Sequence, residues 1–329
     1  MRIGTIGTGF IVRYILENVQ KTPGITCEAV YSRSAENGQK LAGEFGVGKV
    51  YTDLDAMCAD PEIDFIYVAS PNSLHYTHTK KALEHGKHVL CEKPFVPTAA
   101  QAQELIDLAK QKHLLLFEAI TTLYHPHYPW IREHLADLGQ LQMISATFCQ
   151  YSSRYDALLA GQTPNVFNPQ FAAGTLMDIN MYNVWFIAGL MGRPDRVAYF
   201  AGKHPNGIDT HGVLILQYGD VICQCSGAKD TWCEYGVQIM GSEGYMHIGP
   251  TSSNCQNIRL VRKGKEDVTL SLPENQWFYE VQRLAELGNQ QAYDVCYRNL
   301  ELSLTVVEIL EKARQSAKID FPEDTEQPL

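Results

Sequence analysis

RIGTIGTGFIVRYIL, Arg2 to Leu16, is the stretch that decides the fold. An apolar, strand-like run ends in Gly7-Thr8-Gly9, and a helical pattern starts at once. Glycine in the first position makes the tight turn. Glycine in the second lets the backbone approach a pyrophosphate lying on the helix N-terminus. Gly7, Thr8, Gly9, Phe10 and Ile11 are therefore the candidate phosphate-side contacts. The third motif position holds Val12, where Gly or Ala is usual, which bears on helix-to-strand packing rather than on the phosphate side. Standing alone, such a string marks a structural turn nearly as well. Its place as the first βα turn of a series makes it a dinucleotide-binding turn.

The series continues outward from that turn. RIGTI, ITCEAVY, FIYVAS, HVLCE and LLLFEA are short apolar runs separated by helix-like segments, which predicts a parallel sheet covered on both faces. ALEHGKH predicts a helix closed by Gly86, and TAAQAQELIDLAKQK an amphipathic helix. After about Ala119 the pattern changes. A helix around YPWIREHLADLG is followed by period-two strands QMISATFCQY, RVAYFAG, THGVLILQY, VICQCSG, EYGVQIMG, GYMHIG, NIRLVRK and DVTLSL, with YGD and GSEG at hairpin positions. Two helices, near Gln276 to Gly288 and Tyr297 to Ala317, precede a polar tail, FPEDTEQPL. The expected fold class is α/β: an N-terminal Rossmann domain over 1–119, and a C-terminal α/β domain with a large, mostly antiparallel open sheet over 120–329, serving substrate binding and oligomerisation.

Bulk composition narrows the function. At 329 residues, 45% hydrophobic and 19% charged, the chain suits two globular domains and is too apolar for a disordered one. A formal net charge of -10 argues against a nucleic-acid partner, because phosphate binding needs clustered Lys and Arg. Nine scattered cysteines without a C-x-x-C fit free thiols in a reducing cytosol. No apolar run reaches the roughly 18 residues of a membrane span, so a cytoplasmic protein with no membrane partner is expected. The pairs His75/His78, His85/His88 and His125/His127 have no Cys or carboxylate completing a set, and no metal site is expected. Cys223 and Cys225 share one side of a strand, as packing residues.

An NAD site usually carries Asp or Glu at the end of the second strand. Here the chain reads Tyr31-Ser32-Arg33. A hydroxyl and a guanidinium suit a 2′-phosphate, so Ser32 and Arg33 favour NADP over NAD.

From Ser70 the chain reads SPNSLHYTHTKKALEHGKHVLCEKP. This resembles the Gfo/Idh/MocA family of NAD(P)-dependent oxidoreductases, with its P-N-x-x-H and G-K-H-V-x-x-E-K-P stretches. The resemblance runs on through Glu118, NVF, AAGTLMDINMYNV, GSEG and VVEILEKAR. It implies hydride transfer to or from the secondary alcohol or carbonyl of a sugar, polyol or cyclic diol. Lys93 matches the family's active-site lysine, and Asp178 and Tyr182 match its D-x-x-x-H/Y motif. Glu92 matches a glutamate near the nicotinamide ribose, with Asn72 and His75 in a loop that lines the cofactor. Tyr at 182 is shared with the dihydrodiol dehydrogenase and glucose–fructose oxidoreductase branches. Where members often carry Arg-Phe-x-Pro after the Glu118 position, this chain has Leu123, Tyr124, His125 and Pro126.

The chemistry agrees with that resemblance. Asp178 and Tyr182, four apart on a helix, project from one face. The helix is apolar almost all round, so it is expected to be buried and Asp178 to be paired. Tyr182 is the expected general acid/base, Lys93 the cation that polarises the substrate oxygen and tunes the tyrosine, and Asp178 an orienter of substrate or lysine. A non-catalytic NADP(H)-binding redox sensor or regulatory subunit is the alternative. An exposed antiparallel sheet with apolar content needs covering, which points to homo-oligomers, dimers first. Pro94 after Lys93 is expected to follow a cis bond.

Overall fold

The computed structural model describes residues 1–324. The end of the polar tail, 325–329, lies outside the described residues. The chain divides into two compact units: Met1–Ala119 with Trp277–Leu304, and Ile120–Gln276 with Thr305–Leu329.

In the first unit, strands and helices alternate: β1 (Arg2–Ile6), α1 (Phe10–Val19), β2 (Thr26–Tyr31), α2 (Ala35–Phe45), β3 (Lys49–Tyr51), α3 (Leu54–Ala59), β4 (Phe65–Val68), α4 (His75–Glu84), β5 (His88–Glu92), α5 (Ala99–Gln111) and β6 (Leu116–Ala119). All pairings are parallel, in the order β3-β2-β1-β4-β5-β6. This is the doubly wound order, whose strand order reverses between β1 and β4. β4 and β6 are buried along their whole length, as strands covered on both faces must be. β3 was not foreseen: KVY is too short to show a period. The expected helix stops are present. Thr98 accepts from Gln101 N at 3.3 Å to cap α5, and Gly86 follows α4 with φ +76°.

The expected assignment of all of 120–329 to the second domain needs correction, because Trp277–Leu304 belongs to the first unit. It includes most of α10 (Gln276–Asn289) and the start of α11 (Tyr293–Ala317). The Met1 amine donates to Asn289 Oδ1 at 2.9 Å, and Leu116 N donates to Cys296 Sγ at 3.3 Å. A Cβ on Gly288 would stand 2.7 Å from Met1 Sδ and 3.1 Å from Phe65 Cζ, so α10 meets the beginning of the central strands β1 and β4 through a glycine. These contacts join residues far apart in sequence, which composition alone cannot show.

In the second unit come α6 (Thr121–Tyr124), α7 (His127–Glu133), β7 (Leu141–Cys149), α8 (Tyr155–Leu159), a π-helical turn (Leu176–Asn180), α9 (Met181–Met191), β8 (Arg196–Lys203), β9 (Asp209–Tyr218), β10 (Val221–Ala228), β11 (Gly236–Gly241), β12 (Gly244–Thr251), β13 (Asn254–Arg262) and β14 (Val268–Ser271). The helix expected over YPWIREHLADLG is α7 followed by a separate 3-10 turn, Leu135–Leu138. The sheet runs β14-β13-β12-β11-β7-β10-β9-β8 and is antiparallel except where β7 and β10 lie parallel. Ile144, Ala146, Leu214, Leu216, Cys223, Cys225, Val237 and Ile239 are fully buried on one face. Met143 and Ile222, exposed, are cross-strand neighbours on the other, with Phe200 further along it. The period-two pattern thus reads out directly as inside and outside.

Candidate active site

The phosphate-binding turn is built as its glycines require. Gly7 has φ +117°, and a Cβ there would lie 2.6 Å from Ala69 O after β4, so a side chain is excluded twice over. Gly9 is the N-cap of α1, with no side-chain cap and no acidic residue in the first turn. Nothing stands within 4 Å of where its Cβ would be. The uncapped N–H groups therefore face open space, the condition a pyrophosphate needs. Val12 is fully buried against Gly7, so the larger third residue is absorbed in helix-to-strand packing. Phe10 is 70% exposed beside this turn and meets Tyr14, which stacks on Trp277 at 4.7 Å.

At the end of β2, Ser32 is buried and its Oγ accepts from Ser34 N at 3.2 Å. Arg33 is exposed and has no ion pair among the described residues, so its guanidinium is available to an anion. Arg33 also acts on His78, whose pKa is pushed down to about 4, first by burial and then by His75 and Arg33.

β5 ends in Glu92, and the Lys93–Pro94 bond is cis, as expected. Glu92 is buried. Tyr67 O–H donates to Glu92 Oε1 at 2.6 Å, and Lys93 N donates to Oε2 at 3.2 Å. Burial raises the Glu92 pKa, while Tyr67 and Lys93 pull it back. Lys93 is half-buried at the carboxyl end of the parallel sheet, where ligands of open α/β sheets sit. Asn72 opens the 3-10 turn after β4. His75 is fully committed to the backbone: its ring nitrogens lie 2.9 Å from Pro94 O and 2.9 Å from Ser70 O. It ties the Lys93–Pro94 turn to the loop after β4, and no ring nitrogen is left for the cofactor contact expected of it.

Sequence reasoning missed Glu280 of α10. It is 1% exposed, its Oε1 has no hydrogen-bond partner, and its pKa is raised well above the ordinary value. Burial is the main cause, and the charges of Glu92 and Glu118 add to it against Lys93. Glu118, at the end of β6, is buried too. Three buried carboxyls and one ammonium thus share the carboxyl end of this sheet. The signal was a lone Glu in an amphipathic helix, which does not reveal what the helix covers.

In the second unit, Asp178 lies in the π-helical turn and Tyr182 in the first turn of α9. The helix foreseen is therefore not uniformly α. A π-turn is a frequent device at functional sites. The expectation of a buried carboxylate is corrected: the Asp178 side chain is 30% exposed and forms an ion pair with the buried Lys229 at the end of β10. Lys229 carried no sequence signal beyond following a strand. Asp209 anchors the start of this turn. It accepts from Leu176 N at 2.7 Å and from Tyr199 O–H at 2.7 Å, and a Cβ on Gly174 would stand 2.1 Å from its Oδ1. Below it, Asn180 Nδ2 donates to Cys225 O at 3.2 Å and Asn183 Nδ2 to Ser226 O at 3.1 Å, which pins the helix to β10. Further back, Thr121 and Thr122 donate to Ser253 O and Ser252 O, and His127 Nδ1 lies 2.8 Å from Cys255 O. Among the described residues no three His, Cys, Asp or Glu side chains converge as a metal set.

The chain matches known proteins over both of its units. A family model described as "Oxidoreductase family, NAD-binding Rossmann fold" matches residues 1–120, and the GFO/IDH/MocA C-terminal domain matches 131–247. The chain belongs to the GFO/IDH/MocA oxidoreductase family. It is 34% identical to the uncharacterized oxidoreductase YgjR of Escherichia coli (strain K12), over 99% of each chain. It is 32% identical to the scyllo-inositol 2-dehydrogenase (NADP(+)) IolU of Bacillus subtilis (strain 168), over 98% of this chain and 99% of that one. Among solved structures, KijD10, a 3-ketoreductase from Actinomadura kijaniata determined with NADP and TDP-benzene, superposes with a TM-score of 0.84 at 21% identity, covering 96% and 97% of the two chains. That likeness supports the two-domain fold. The protein is thus an oxidoreductase with a nicotinamide-dinucleotide-binding Rossmann domain.

Proposed function

We propose that this chain transfers a hydride between NADP(H) and the secondary alcohol or carbonyl of a sugar, polyol or cyclic diol. The observation that carries the reading is Lys93, a half-buried ammonium set beside buried Glu92 at the carboxyl end of β5 in a family of oxidoreductases. The relatives named as NADP(+) enzymes act on scyllo-inositol and D-xylose by their names, which supports both the cofactor and the substrate class. Gly7 to Ile11 would hold the pyrophosphate on the α1 N-terminus, Ser32 and Arg33 the 2′-phosphate, and Asn72, Glu92 and Lys93 the nicotinamide end. NADP(H), when bound, supplies or accepts the hydride.

The residues of the chain handle the proton and the charge. Lys93 polarises the reacting oxygen. Tyr182 gives or takes the proton. Asp178, held by Lys229, accepts from a substrate hydroxyl and fixes its orientation. We place the protein in the cytoplasm, because its cysteines are free thiols. We also propose a homodimer built on the exposed sheet face of Met143, Phe200 and Ile222.

The assay is the absorbance of NADPH and NADH against a panel of ketoses, aldoses, inososes and diols. Lys93→Met is expected to cut kcat by at least ~10²-fold with cofactor affinity largely kept. Arg33→Ala is expected to weaken NADP(H) more than NAD(H). Activity untouched by Lys93→Met sinks the mechanism, and equal losses for both cofactors sink the preference. Cofactor binding without turnover of any substrate would point instead to a redox sensor.

A further inference from the structure

One end of the antiparallel β7–β11 ladder holds a pair of thiols. Gly236 on β11 opposes Thr147 on β7. The same register runs on past the ladder: Tyr235 packs against Phe148 with ring centroids 6.0 Å apart, and Trp232 lies parallel to Tyr151 at 5.6 Å and 7°. Each step forward on one segment is matched by a step back on the other, so residues 233–234 are laid against Cys149 and Gln150. The other side of β7 is fixed as well. Cys149 pairs with Ala228 of β10, Gln150 N donates to Ala228 O at 2.8 Å, and Ser152 N donates to Lys229 O at 2.9 Å. In this frame the Cys149 and Cys233 thiols are in hydrogen-bond contact.

Exposure gives the two thiols different parts. Of the nine cysteines Cys233 is the exposed one, whereas Cys149 is 8% exposed. Burial pushes the Cys149 thiol up to about 12, with the Cys233 thiol and the Asp230 charge adding to it. Cys233 is therefore the sulfur that a reagent in solution meets first, and Cys149 a protonated neighbour shielded from it. Cys223 and Cys225 are also close in sequence, but both are buried and neither can take a first bond from solution.

From this arrangement we propose that Cys149 and Cys233 are a redox-responsive dithiol, which a low-molecular-weight disulfide converts to an internal disulfide across the end of β7. In the first step Cys233 Sγ attacks the small disulfide. The S–S bond of the reagent breaks, a mixed disulfide forms on Cys233, and one small thiol leaves with the Cys233 proton. In the second step Cys149 Sγ attacks Cys233 Sγ. The mixed bond breaks, the internal bond forms, and a second small thiol leaves with the Cys149 proton. The two protein sulfurs together lose two electrons, which the reagent gains in becoming two thiols. Contact between the sulfurs makes the second step intramolecular, and this offsets the small thiolate fraction of Cys149. In a reducing compartment such a bond is transient, made under oxidation and undone after it. It clasps the loop that starts at Lys229, the residue paired with Asp178. The inference does not rest on the proposed hydride transfer.

The test incubates the full chain, first reduced and then freed of reductant, with oxidised glutathione, and maps every cysteine by peptide mass spectrometry without reduction. Wild type is expected to carry the Cys149–Cys233 link in most molecules and a glutathione adduct on Cys233 in fewer than about one in ten, with dithiothreitol restoring both thiols. Cys149→Ala removes the second sulfur and should trap the adduct on Cys233 at least ~10-fold more than wild type, while Cys233→Ser should give neither product. The wild-type link is read without any substitution, so a variant that fails to fold does not decide the matter. A lasting adduct on Cys233 of wild type without the internal link overturns the pair. A link between other cysteines, or no reaction at Cys233, overturns it as well.

Discussion

Glu280 shows how a single side chain can set the conditions for its neighbours. Glu92, Glu118 and Glu280 are buried close enough to act on one another, with Lys93 the opposing charge, so Glu280 stays protonated where an ordinary carboxyl ionises. Above about 4.5, its ordinary pKa, the unfolded chain gives up this proton while the folded unit keeps it. The folded state then binds more protons, and stability falls as pH rises from there to the raised folded value. Glu280→Gln removes that titration. Its melting temperature should match wild type near pH 4.5 and exceed it increasingly toward alkaline pH, and parallel curves would contradict the protonated assignment. Lys93, Asp178 and Tyr182 could be singled out as candidates because each sits in a motif whose spacing can be read along the chain. Lys229 and Glu280 were not, since each earns its place only by what a distant segment brings to it.

Among elements, α1 leaves its first turn without a side-chain cap, whereas its neighbours α2, α3 and α5 are capped by Ser34, Asp53 and Thr98. A ligand-binding helix keeps those N–H groups free. Gly9→Asp fits, because the space around its Cβ is open, and should stabilise the folded protein by a few tenths of a kcal/mol through the cap and the helix dipole. The same carboxylate stands where the pyrophosphate would lie and should weaken NADP(H) by more than ~10-fold through like-charge repulsion. Thermal melts read the first effect and cofactor fluorescence titration the second. A variant that loses both stability and affinity would mean the turn is structural. The strands were readable from period two and the glycine turn from its βα context. The π-turn at Leu176–Asn180 was not, because nothing in a mostly apolar helical run distinguishes one register of backbone bonds from another.

For the whole molecule, the exposed outer face of the second sheet bears on assembly. Met143 and Ile222 sit side by side on β7 and β10, with Phe200 on the same face of β8. Ile222→Glu places a charge in the middle of that patch and should convert the proposed dimer to a monomer in sedimentation velocity, with each unit still folded. A wild type that sediments as a monomer at working concentrations removes the proposal. Domain number was readable from the change of pattern near Ala119, but the return of Trp277–Leu304 to the first unit was not, since an amphipathic helix shows that it buries a face without showing where. That return has a consequence for synthesis. Met1, beside β1, is held by Asn289 of α10, so the nucleotide-binding unit cannot complete its core until α10 has followed the strands of the second sheet out of the ribosome. Maturation is then expected to run from the middle outward, with the antiparallel sheet able to close first and the Rossmann sheet waiting for its final helix.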